Sequence, residues 1–296
     1  MSQVHEVELS AGAIRFREQG KGKSVVFIHG LLVNGTLWRK VLPLLAEDQF
    51  RCLVPDWPLG SHEAPMKPAA DLSPLGVARL VAEFMEKLDL HDVTLVANDT
   101  GGAIVQLLAA DQPERVGRLV LTPSDAFENF FPPIFRALQY AARMPVLLTA
   151  GIQPLRVRAL RRLPIAFGLL SKRPIPAAVT DAWLRPFLTN RSIRRDTAAF
   201  IRAVNARDTI SAAERLRYFQ QPVLLAWASE DRLFPLEHAH RLAAILPNAR
   251  VEEIHDSYTF VPEDQPERLA ELIADFTATS HTTTGNEKWS AEVGAD

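Results

Sequence analysis

Hydrophobic and polar positions along the 296-residue chain change their period repeatedly. Short runs rich in β-branched and aromatic residues, VHEVEL, IRFREQ, SVVFIHG, RCLVPDW, VTLVAND, GRLVLTP, VLLAWAS and RVEEIHD, read as strands. Between several of them lie stretches with apolar residues at helical spacing: SPLGVARLVAEFMEKLDL, AIVQLLAADQP and LEHAHRLAAIL. Ser73 and Pro74 open the first of these as N-cap and first helical residue, where an acceptor side chain and a missing N–H both fit. Strands alternating with helices predict an α/β protein, its sheet mostly parallel and covered by helices on both faces. The alternation breaks between about 125 and 217, where strands stop, prolines recur, and FENFFPPIFRALQYAARM through NARDTISAAERL reads as several inserted helices. The closing stretch, TATSHTTTGNEKWSAEVGAD, is polar and aperiodic, so residues 278–296 are expected to form a disordered tail.

Composition narrows the class without naming a partner. A hydrophobic content of 47% supports a large core, and a net charge of −2 gives no overall pull toward nucleic acid. The single cysteine, Cys52, lies in an apolar run and has nothing to pair with, so it reads as core. The N-terminal MSQVHEVELS lacks the basic-then-apolar order of a signal peptide, and no apolar run approaches the ~20 residues of a membrane span. A cytoplasmic protein with a small-molecule substrate is expected, without stable membrane insertion, metal or cofactor; the oligomeric state is left open.

A parallel sheet gathers the carboxyl ends of its strands along one edge, where ligands bind. That edge should carry His29, Gly30 and Leu31; Asp56, Gly60, Ser61 and His62; Asn98 to Gly102; Ser124, Asp125 and Glu128; Glu230 and Asp231; and His255, Asp256 and Thr259. Asp99 stands where an apolar strand turns sharply into a helix that opens with Gly101 and Gly102. One role for it is the helix N-cap. The other is chemical: a carboxylate, with an ordinary pKa near ~4, is already ionised at neutral pH and attacks a saturated carbon without a base to activate it.

Over residues 20 to 277 the chain resembles the α/β-hydrolase superfamily. The resemblance is carried by HG and its loop (29–38), the strand, turn and helix around Asp99 (95–108), DQPERVGRLVLT (111–122), ASEDRLFP (228–235) and a terminal helix after EDQPERL. An aspartate where serine is usual resembles the aspartate-nucleophile branch, the haloalkane dehalogenases and epoxide hydrolases, though Asn98 stands where histidine or glycine is commoner. The resemblance implies an α/β-hydrolase fold with an eight-stranded core, residues 1–124 and 218–277, and a helical lid, residues 125–217. It further implies that Asp99 becomes an alkyl ester, that the backbone N–H groups of Leu31 and Thr100 form an oxyanion hole, that His29 holds the oxyanion loop, and that Asp231 orients a histidine base.

That base is where the sequence departs from the family. Aligned on the family's glycine-histidine-phenylalanine turn, IHDSYTF puts Tyr258 at the glycine and Thr259 at the histidine, and a threonine is no base near neutral pH. His62, after the strand ending in DW, is the best-placed substitute; Asp125 or Glu128 could serve as a second acid. The lid carries twelve basic residues between 129 and 195 against one acid, Asp181, together with Phe127, Phe130, Phe131, Ile134, Phe135, Leu138 and Trp183 for an apolar underside. The family's halide-binding tryptophan after the nucleophile is Thr100 here, leaving Trp38 and Trp57 as aromatic donors, and Tyr140 and Tyr218 are the only tyrosines near the lid. The expected site is therefore Asp99, Asp231 and His62 for catalysis, Leu31 and Thr100 for the oxyanion, and His29, Trp38, Phe127, Phe131, Tyr258 and Thr259 around the substrate. Three readings follow: a hydrolase of a small, largely apolar ester, epoxide or alkyl halide; a non-hydrolytic enzyme of proton-transfer or lyase type; and a ligand-binding protein without turnover.

Overall fold

Each of the eight runs forms a strand: β1 (Gln3–Leu9), β2 (Gly12–Gln19), β3 (Lys23–Ile28), β4 (Phe50–Pro55), β5 (Thr94–Asp99), β6 (Arg118–Ser124), β7 (Val223–Ala228) and β8 (Ala249–Ile254). The computed structural model describes residues 3–278, so the expected tail lies outside the described residues apart from Ala278. One sheet results, in the order β1-β2-β4-β3-β5-β6-β7-β8. β1 and β2, and β2 and β4, are antiparallel, and all later pairs are parallel. The central strands β6 and β7 are buried along their whole length and β5 up to its last residue, as continuous apolar runs require when helices cover both faces.

The helices are α1 (Pro74–Lys87), α2 (Thr100–Asp111), α3 (Arg136–Ala142), α4 (Pro145–Ile152), α5 (Ala177–Thr189), α6 (Arg191–Ala203), α7 (Ala206–Leu216), α8 (Leu236–Ile245), α9 (Val261–Asp264) and α10 (Pro266–Ala278). Ser73 caps α1, its hydroxyl accepting from Gly76 N at 3.0 Å, with Pro74 in the first turn. Helix α2 is buried on nearly every side and packs between α1 and α7. The insertion expected at 125–217 consists of α3 to α6 with intervening 3-10 turns, whereas its last helix, α7, lies on α2 in the layer flanking the sheet. Cys52 is enclosed in the core, and burial pushes its thiol pKa up to about 12.

Candidate active site

Strand β5 ends at Asp99 in a conformation with φ 57° and ψ −131°, and α2 starts at the next residue. A non-glycine residue held there stores strain, which persists only where packing over-determines it. The packing is tight. A Cβ on Gly101 would come within 2.5 Å of the Ile28 carbonyl, one on Gly102 within 2.1 Å of Ser124 Oγ, and one on Gly30 within 2.0 Å of Asp99 Oδ2. Glycine at these three places lets the β3 loop and α2 close around the carboxylate. The Asp99 side chain makes no capping hydrogen bond to α2; its carboxylate lies near enough to the backbone N–H groups of Thr100 and Leu31 for both to lower its pKa. Burial raises its pKa to about 7, the two N–H groups pull the other way, and the charge of Asp231 adds to the rise.

Asp99 is enclosed by protein yet keeps part of its own surface open, because it forms the floor of a cavity of about 170 Å³. That is close to the void that takes up one benzene ring. The core supplies Leu31, Leu32, Asp99 and Thr100 to its wall; the insertion supplies apolar residues from Phe131 to Leu170, including Phe135, Ile152 and Phe167. Among the described residues Asp99 and Thr100 are the only polar ones on that wall.

Two further carboxylates stand behind it. Asp231 Oδ1 accepts from Leu233 N and Phe234 N at 2.7 Å each, which fixes the acid turn after β7. Its Oδ2 has no partner; the buried Thr259 hydroxyl is near enough to lower its pKa, but no well-formed hydrogen bond joins them. Burial dominates and holds Asp231 up at about 6. Asp125, fully buried after β6, has no good partner for either oxygen, and burial together with the Asp99 charge pushes its pKa well above the ordinary range. Asn98, the residue before the elbow, locks this arrangement: its Nδ2 donates to Thr122 Oγ1 at 2.8 Å, to the Pro123 carbonyl at 3.3 Å and to the Thr259 carbonyl at 2.7 Å. The buried Asp264 carboxylate adds a second clamp, accepting from the backbone N–H groups of Tyr258, Lys172 and Arg173 and from Ser171 Oγ. Asp264 did not stand out in the sequence, and Asn98 did so only as a departure from the family's usual residue, because nothing local announces a bridge to residues 161 or 93 positions away.

The structure gathers Asp99, Thr100, Leu31 and Phe131 on the cavity wall, and not the rest of the expected set. His62 is buried against the insertion, with Nε2 3.3 Å from Asp196 Oδ2 and Nδ1 facing Gly60 N. His29 accepts from Trp57 N through Nε2, its Nδ1 meets the Gly30 carbonyl, and burial lowers its pKa to about 4, so it is a neutral loop support. Trp38 packs on Phe27 inside the core. Phe127 lies beneath Arg241, and the Tyr258 ring lies beneath Arg232, 4.7 Å away, turned from the cavity. Glu128 pairs with Arg241 at the surface, and Tyr140 and Tyr218 are 69% and 76% exposed. The aliphatic wall from Ile152 to Leu170 escaped the sequence reading, since a cavity lining and a core have the same composition.

Known proteins resemble this chain in sequence or in structure. The hydrolase YugF of Bacillus subtilis (strain 168), named as uncharacterized, is 29% identical over 259 residues, 86% of this chain and 89% of that protein. Haloalkane dehalogenase 2 of Mycobacterium tuberculosis (strain ATCC 25618 / H37Rv) is 26% identical over 274 residues, 90% of this chain and 92% of that one. Among solved structures, haloalkane dehalogenase DbeA from Bradyrhizobium elkani USDA94 superposes with a TM-score of 0.77 at 23% identity, covering 94% of this chain and 98% of the other. The sequence pattern of the family described as alpha/beta hydrolase fold matches residues 23–266, and the chain belongs to that family.

Proposed function

We propose that this protein is a hydrolase of small, apolar molecules carrying a good leaving group, with Asp99 as its nucleophile. The observation that carries this reading is that the one ionisable group on the cavity wall among the described residues sits on the strained elbow, with its carboxylate beside the Leu31 and Thr100 amides. In the first step an Asp99 oxygen bonds to the substrate carbon, the leaving group departs with the bonding pair, and an alkyl ester remains. The ester carbonyl stays in the two amides, which then serve as an oxyanion hole. Among the described residues no tryptophan, tyrosine or cationic side chain lines the cavity to receive the departing group. Iodides and sulfonates should therefore react far faster than chlorides, and epoxides slowly.

In the second step water attacks the ester carbonyl and the bond to the alkyl oxygen breaks, restoring Asp99. Thr259 faces Asp231 where the family's histidine would stand, so the group left to take the water's proton is Asp231, with its raised pKa of about 6 and unpartnered Oδ2. Losing a positioned base costs ~10²–10⁴ in rate, so the ester should form faster than it is cleared. Incubation with an alkyl iodide followed by intact mass measurement tests this: the expected result is an alkyl adduct on Asp99, absent from Asp99→Ala. Thr259→His should speed release and leave formation unchanged, and Asp231→Asn should stop release. Wild-type protein that shows neither adduct nor alcohol across the substrate series would overturn the reading.

A further inference from the structure

The insertion leaves its outer face in an unusual state. From Asn129 to Thr180 the chain has no acidic residue and eight basic ones. Arg136, Arg143, Arg156 and Arg162 form no ion pair among the described residues. Beside them stand uncovered aliphatic side chains: Val146 is 76% exposed, Ile165 66%, Met144 57%, Val157 56%, Leu147 50% and Leu163 42%. Helix α4, PVLLTAGI, is apolar all round; Leu148 and Ile152 face inward while Val146 and Leu147 face out. A helix of that composition normally has both faces covered. The exposed Leu163 and Ile165 of this segment are also wall residues of the cavity over Asp99.

We propose that this face, residues 134–165, seats on an anionic lipid surface and that the cavity draws apolar molecules from the bilayer; the second clause rests on the function proposed above. Aliphatic side chains flanked by arginines match the boundary between acyl chains and acidic headgroups, where both find partners. A nucleic acid would leave the aliphatic residues without one. A second copy of the chain would set arginine against arginine. No helix among the described residues is long and apolar enough to cross a membrane, and a peripheral contact needs none.

The test is sedimentation of the full chain with vesicles of phosphatidylcholine alone or of an equimolar mixture with phosphatidylglycerol. Binding is expected to the mixed vesicles, at least tenfold weaker to the neutral ones, and weakened by salt. Arg143→Glu with Arg162→Glu, and separately Val146→Asp with Val157→Asp, should each reduce binding at least tenfold while circular dichroism stays unchanged; none of these four residues lines the cavity. Asp99→Ala should bind as wild type, so vesicle binding without an Asp99 adduct would remove the proposed chemistry and leave the surface standing. Absent binding to mixed vesicles, equal binding by both double variants, or a dimer that Val146→Asp dissociates in place of vesicle binding would overturn the inference.

Discussion

Three enclosed carboxylates, Asp99, Asp125 and Asp231, crowd one end of the sheet, and none forms an ion pair among the described residues. In the chemistry proposed above only the ionised form of Asp99 would attack, and burial raises its pKa to about 7. The rate of adduct formation should therefore fall about tenfold per pH unit below about 7 and level off above ~8, where an ordinary carboxylate would be fully active from about pH 5. A stopped reaction series across pH, read by mass, checks this; a flat profile from pH 5 upward would contradict it. The same burial sets a stability trend. A carboxyl whose pKa is raised on folding binds its proton more tightly in the folded chain, so the stability it confers is complete below about pH 4 and is lost as pH rises through the folded value. Asp125→Asn removes the charge and keeps the shape, and should stabilise the protein at pH 8 by on the order of 1–3 kcal/mol, with little effect at pH 4. Thermal melts at the two pH values decide, and destabilisation at pH 8 would mean that Asp125 has a partner.

Strands and helices were legible because their signals are local. Continuous apolar runs such as VTLVA and GRLVL announce buried parallel strands, and Gly101 with Gly102 announces a turn into which a helix must pack closely. Side-chain direction is not local, and this is where the sequence stopped informing. His62 lies on the right edge of the sheet, yet its ring meets Asp196 of α6, a residue 134 positions later. Helix α7 follows the inserted helices α3 to α6 in the chain and packs instead on α2. Asn98 shows the converse, a single side chain that joins β5, β6 and the Thr259 loop through three hydrogen bonds. Asn98→Ala should cost ~1–3 kcal/mol of stability and slow ester release more than ester formation, because it frees the loop that faces Asp231 and leaves the elbow in place. Equal slowing of both steps would show that the elbow itself had moved.

Across the whole molecule the cavity wall has two origins: four residues from the core, every polar one among them, and fourteen from the insertion, all apolar or glycine. Gly151 on α4 shows how loosely the second group is constrained, since a Cβ there would meet nothing within 4 Å. Gly151→Leu should leave the fold intact and shorten the longest alkyl chain accepted, without moving the pH midpoint near about 7 that belongs to Asp99; a comparison of chain-length series for the two proteins reads this directly. A protein assembled this way can change its diet and keep its teeth. If Asp99 is the nucleophile proposed above, drift in the 131–170 segment would sample new substrates while the elbow stays as it is, whereas Ser171, Lys172 and Arg173, which clamp Asp264 behind the site, would have to be kept.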